Sequence, residues 1–160
     1  MLLFLGDVPA DASQWRTSPS FVGAHVAFVN GSADQCANCR EQEDLVAEGF
    51  VHLNNAIAKV SGLPSFEPDV VTPYLKENLH WRVQAVCSFC VLFFFTHSPR
   101  FLDQSDRTAV ELSKLSSLEV TVAAISLTQQ PGAIFPIAGE PQYHHHITHG
   151  RLGGARQAQA

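Results

Sequence analysis

A mainly β domain with short helices, built as a β-sandwich or a small barrel, is predicted by three features of this 160-residue chain. Short β-rich apolar runs recur between turn signals. Two segments alternate apolar and polar residues with the period of a half-buried strand. Only two stretches carry helical spacing, and both are short.

The elements follow in order. Leu2-Leu3-Phe4-Leu5 reads as a buried strand that ends at the turn-rich Gly6-Asp7-Val8-Pro9. Residues 21–29, Phe-Val-Gly-Ala-His-Val-Ala-Phe-Val, are the best central-strand candidate. Residues 45–53 are ambiguous, because Gly49 weakens a helix while Phe50 and Val51 favour a strand. Asn54 is placed to cap a short helix with Ala56, Ile57 and Val60 on one face, stopped at Gly62-Leu63-Pro64. Pro68 opens a second helix, with Val70, Val71, Tyr74, Leu75 and Leu79 near one face. His80-Trp81-Arg82-Val83-Gln84 and Leu118-Glu119-Val120-Thr121-Val122 alternate as strands. One domain is expected over residues 1–150, with 151–160 as a disordered tail.

Composition narrows the function. At 46% hydrophobic and 16% charged, the chain has enough apolar side chain for a core. A net charge of −5 points away from nucleic acid and anionic membrane as partners. Four cysteines are too few for a disulfide scaffold at this length. The apolar start lacks a basic segment and is too short for a signal peptide, and the run from Val86 to Thr96 is about half a membrane span. These features favour a cytoplasmic location. There is no G-x-S-x-G and no phosphate loop, so no nucleophile, base and oxyanion set is legible.

The chemistry-bearing motif is Cys36-Ala37-Asn38-Cys39. Two thiols at this spacing form an inert surface pair, close a local disulfide or bind a soft metal such as Cu(I) or Zn. A structural zinc site would need a second pair, which only Cys87-Ser88-Phe89-Cys90 offers. A thioredoxin-type site would need a βαβ unit, which the pattern lacks. His144-His145-His146-Ile147-Thr148-His149 is dense in imidazole: His145 and His149 share a face in a helix, His144 and His146 in a strand. The bland reading, a polar strand or tail, outweighs a metal site there. His25, His52 and His80 read as ordinary structural histidines, and Arg82 as a structural cation.

A resemblance adds to this. Leu3-Phe4-Leu5-Gly6-Asp7, Trp15, Phe21-Val22-Gly23-Ala24-His25-Val26-Ala27-Phe28 and Cys36-Ala37-Asn38-Cys39 look like the C-terminal domain of fungal tyrosinases, the polyphenol oxidases. The similarity continues through Glu48-Gly49-Phe50-Val51-His52-Leu53, Pro73-Tyr74-Leu75 and Ser117-Leu118-Glu119-Val120-Thr121-Val122 to Ile147-Thr148-His149-Gly150-Arg151. It implies a β-rich domain that covers the entrance of a di-copper site in the tyrosinase catalytic domain, its partner, and keeps the enzyme latent. It implies an apolar placeholder above the coppers, for which Phe28 is the candidate. It also implies a role for Cys36 and Cys39 in handing over copper. The six histidines of a type-3 copper pair are not legible here, so the chain is a fragment expected to be inactive alone, with no catalytic residue of its own.

Residues 86–104 depart from the family pattern. Gln84-Ala85 would join naturally to Ser105-Asp106-Arg107 as a polar turn between strands. The intervening block carries Val91-Leu92-Phe93-Phe94-Phe95 and has no clear period. Val86-Cys87 is compatible with intron-donor codons, Thr96-His97 with a branch-point-like string and Gln104 with a terminal CAG, and phenylalanine codons are pyrimidine-rich. The block therefore reads as a retained intron. Two other functions remain open: a free-standing β-sandwich interaction module with a local disulfide, and a small zinc-binding protein using both cysteine pairs.

Overall fold

The computed structural model describes residues 1–27, 48–86 and 107–157. Four antiparallel strands form the central sheet: β1 (Leu2–Leu5), β2 (Phe21–Ala24), β3 (Leu79–Val86) and β4 (Arg107–Val110), in the order β2-β1-β3-β4. The mainly β reading with few short helices holds, and no barrel closes among the described residues. The expected central strand is displaced. β2 lies at an edge among the described residues, while β1 pairs on both sides, with Leu3 opposite Gly23 and opposite Trp81.

That position explains why β1 is a continuous apolar run rather than an alternating one: both of its faces are covered. Leu3 and Leu5 enter the main core with Leu75, Trp81, Val120 and Ile147. Leu2 and Phe4 point the other way, onto Trp15. Trp15 is delivered by a 3₁₀ turn, Ala12–Thr17, whose Asp11 cap accepts from the Ser13 N–H. Its ring meets Phe4 edge-on at 6.4 Å, and its indole N–H donates to the Pro9 carbonyl at 2.8 Å.

The helices are α1 (Asn54–Val60) and α2 (Pro68–Asn78). Pro68 stands in the first turn of α2, where its missing N–H costs nothing, and Val71 and Leu75 are the buried face. Asn54 is the first residue of α1 rather than its cap; Leu53 holds the cap position without a side-chain hydrogen bond. Residues 48–53 form neither helix nor strand. Two short antiparallel pairs extend from the core as a nested arm. β5 (Ala123–Ala124) pairs with β8 (Gln142–Tyr143), and β6 (Leu127–Thr128) with β7 (Ile137–Ala138). The arm exposes Ile134 by 86% and Phe135 by 79%.

Residues 118–122 make a single bridge rather than a strand. Val120 pairs in parallel with Gly154 and donates to the Gly153 carbonyl at 2.9 Å. Within the segment expected to be a disordered tail, Gly154 and Ala155 are buried here, while Arg156 and Gln157 are exposed. β4 pairs with β3 only from Val83 onward, which leaves the first half of that β3 edge open. The open carbonyls are met by side chains: Arg151 Nη2 donates to Leu79 O at 2.6 Å, and Arg82 Nη1 to Trp81 O at 2.8 Å. The Trp81 indole N–H donates to Leu152 O at 2.9 Å. Gly153, at φ +72°, carries the chain past Trp81 where a Cβ would lie 3.1 Å from the indole nitrogen. Composition alone made this glycine pair look like a flexible end, whereas here it permits close approach.

Thr148 locks the segment from beneath. Its hydroxyl, fully buried, donates to Val120 O at 2.6 Å and accepts from the Ala155 N–H at 3.1 Å. Thr148→Val keeps the volume but strands both backbone groups. The expected loss is about 1–3 kcal/mol in urea unfolding, with most of it regained in Thr148→Ser. An unchanged midpoint in the valine variant would refute this role.

Candidate functional site

Phe28, Cys36 and Cys39 lie outside the described residues, as do Cys87, Cys90 and nearly all of block 86–104. The structure does describe the place from which the 28–47 segment departs and to which it returns. Just beyond the end of β2, the His25 N–H donates to Met1 O at 2.9 Å. On the return, Gly49 lies against the His25 ring so closely that any Cβ there would collide with it. A Cβ on Gly23 would sit 2.9 Å from Val51 Cγ1. Residues 49–51 therefore lie against 23–25, and the two roots of the segment meet at one end of the sheet.

The roots are apolar and open to solvent. Val26 is 62% exposed and Phe50 83% exposed. His25, expected to be an ordinary satisfied histidine, has a buried Nε2 without a hydrogen-bond partner. His52 is exposed. The glycines at 23 and 49 were visible in the sequence only as weak points in a strand or helix pattern, and their contact with Val51 and His25 depends on tertiary pairing.

The histidine-rich run forms a 3₁₀ turn, His145–Ile147, and neither a regular helix nor a strand. Tyr143 stacks on His145 at 5.8 Å, and His144 meets His146 edge-on at 5.8 Å. The buried residues of the run are Ile147 and Thr148, so it serves the core and the Val120 bridge. Among the described residues no three or more His, Cys, Asp or Glu side chains converge to hold a metal ion. A resident copper pair does not fit the described residues.

The electrostatic features cluster near β3. Burial, then the Arg151 and Arg82 charges, hold the His80 imidazole below its ordinary value, against a smaller opposing pull from Asp7. His146 is lowered by burial, Lys76 and His144. Arg151, lowered by burial and by Arg82, stacks over the Trp81 ring at 4.3 Å. The structural-cation role assigned to Arg82 is thus shared with Arg151. The sequence signal for Arg151 was present, since it closes the Thr148-His149-Gly150 turn, but the glycines beyond it read as a tail.

Comparison with known proteins supplies the class. The tyrosinase C-terminal domain family matches residues 1–88, more than half of the chain, and the chain belongs to that family. It is similar to polyphenol oxidase 4 of Agaricus bisporus, 43% identical over 77 residues, which is 48% of this chain and 12% of that protein. Polyphenol oxidase 2 of the same fungus is 41% identical over 69 residues, 43% of this chain and 12% of that protein. Tyrosinase of Neurospora crassa is 32% identical over 88 residues, 52% of this chain and 13% of that protein. The chain thus matches about an eighth of the length of these curated relatives. No solved structure matches.

The lowered His80 and His146 values fix a pH dependence. The unfolded chain takes up protons on these imidazoles at about pH 6.5, before the folded one does. Their contribution is complete above that pH and is lost as pH falls toward the depressed folded values. The thermal midpoint should therefore drop between about pH 7.5 and about pH 5.5. His80→Gln should flatten part of that slope, and an identical slope in the variant would contradict the assignment.

Proposed function

We propose that this chain is the non-catalytic C-terminal domain of a tyrosinase-like copper oxidase acting on phenols. It covers the active site of the catalytic domain, holds it latent and assists copper loading through Cys36 and Cys39. The observation that carries this reading is the apolar, solvent-open collar of Val26 and Phe50. It stands where the segment bearing Phe28 and both thiols leaves the sheet, within the region of the family match. A sheet end that exposes two apolar side chains suits docking over a cleft. Phe28 is the proposed placeholder. Copper enters as cargo, and Cu(I) prefers the soft thiolate pair.

A chimera tests the covering role: this chain replaces the matching segment of Agaricus polyphenol oxidase 4. The expected product is inert toward phenols until proteolysis, and Phe28→Ala should release activity at least about tenfold without cleavage. Full activity of the uncleaved chimera would overturn the reading. Copper handling is tested on the chain itself by Cu(I) competition titration. One equivalent should bind and be lost in the Cys36→Ser/Cys39→Ser variant. Zinc held by all four cysteines would favour the small zinc protein, and no metal binding the interaction module with a disulfide.

The same reading treats 86–104 as foreign to the domain, and the β3–β4 register supports it. Ala85 pairs with Thr108, so joining Ala85 to Ser105 leaves Ser105, Asp106 and Arg107 as a three-residue hairpin loop. Deleting 86–104 should preserve the far-ultraviolet spectrum and a cooperative melt while raising soluble yield. Loss of the cooperative transition would sink the retained-intron reading, as would spliced transcripts that keep the block.

A further inference from the structure

The structure points to a binding site beyond the covering role, on a different part of the domain. We propose that the corner bounded by Trp81, Arg82, Leu112, Arg151 and Leu152 binds a small oxyanion, a carboxylate or a phosphate. The cavity there is about 180 Å³. A water occupies about 30 Å³, so the space takes a group of a few heavy atoms and excludes a nucleotide.

Three observations carry the assignment. First, two guanidinium groups line one small cavity, yet neither makes an ion pair among the described residues. The ion pairs found there, Lys114 with Glu111 and Arg156 with Glu119, lie elsewhere. Second, the Arg151 guanidinium is fixed in place. It stacks over Trp81 at 4.3 Å and donates from Nη2 to Leu79 O, and Arg82 is likewise tied to Trp81 O. Both forks are held before any ligand arrives, which lowers the ordering cost of binding. Third, the partly exposed Arg151 guanidinium has no acceptor for its occluded Nη1, so its charge is incompletely matched within the fold. A half-buried cation with an unmatched N–H and a second half-buried cation beside it is a local excess of positive charge, on a chain whose net charge is −5. An oxyanion supplies the missing countercharge and accepts charge-assisted bonds in the geometry that arginine favours.

The test titrates the ¹⁵N-labelled full chain separately with inorganic phosphate and with acetate, at constant ionic strength set by chloride. The Trp81 indole N–H, which donates to Leu152 O beside the cavity, is the reporter, and the Trp15 indole N–H on the opposite face is the control. The Trp81 signal should shift saturably while Trp15 stays still. Saturation by acetate alone identifies a carboxylate site, and saturation by phosphate alone a phosphate site. Arg82→Gln should weaken binding at least about tenfold, the factor one charge-assisted bond supplies, read at a temperature where the variant's amide spectrum is still that of the folded chain. Arg151→Lys keeps the charge but loses the fork, and should also weaken binding. Saturation by neither anion, equal shifts at Trp15, or undiminished affinity in Arg82→Gln overturns the proposal.

Discussion

The fold depends on the environment of Trp81. This side chain, nearly fully buried, lies on β3 opposite Leu3 and belongs to the main core. It also faces the half of the β3 edge that β4 leaves unpaired. Its ring carries the Arg151 guanidinium, its indole N–H holds Leu152 O, and its own carbonyl is satisfied by Arg82. One residue thus joins the sheet, the core and the returning C-terminal segment. Trimming it would open a cavity of the kind that costs about 3–5 kcal/mol and would also release Arg151 from its support. The bridge from Val120 to Gly154 and the buried Thr148 hydroxyl follow from this placement, because both need the 150–155 segment held against β3.

The two faces of β1 explain why so short a strand organises the domain. Four residues supply both hydrophobic clusters, since Leu3 and Leu5 serve one and Leu2 and Phe4 the other. Phe21 reaches the second cluster from β2, 5.9 Å from Phe4 and edge-on. The register shift between Leu3 and Phe4 in the β1–β2 ladder lets Phe21 face Phe4 while Val22 contacts the main core. β1 is therefore the element least tolerant of a polar substitution.

Local patterns made some elements legible and tertiary pairing hid others. The apolar run of β1, the alternation around Trp81 and the proline that opens α2 each announce themselves within a few residues, and each folds as its pattern indicates. The sequence-based ranking of strands failed because hydrophobicity does not encode position in a sheet. Residues 21–29 are longer and as apolar as β1, yet only Phe21–Ala24 pairs among the described residues, and at an edge. The C-terminal segment failed for a different reason: Gly153 and Gly154 permit a close approach to Trp81 and Thr148 that only the folded chain reveals. At the candidate site, the thiol pair was legible as chemistry, and Phe28 followed only from the family resemblance. The collar of Val26 and Phe50 was not, because it arises from the return of residues 49–51 along β2.

Strand order bears on the choice between copper and zinc. β1 is antiparallel to both β2 and β3, so β2 and β3 run the same way. The segment bearing Cys36 and Cys39 and the block bearing Cys87 and Cys90 therefore leave the same end of the sheet, from strands two positions apart. At the usual strand spacing that is about 10 Å, well within the reach of two segments of such length. The zinc and copper readings ask different things of the sheet. The zinc reading needs the 86–104 block as an integral part of the domain. The copper reading needs only the segment between the converging roots at His25 and Gly49, within the region that matches the family. The β3–β4 pairing closes as an ordinary hairpin once the block is removed. The copper reading asks of the sheet only the two roots at His25 and Gly49 that the structure describes.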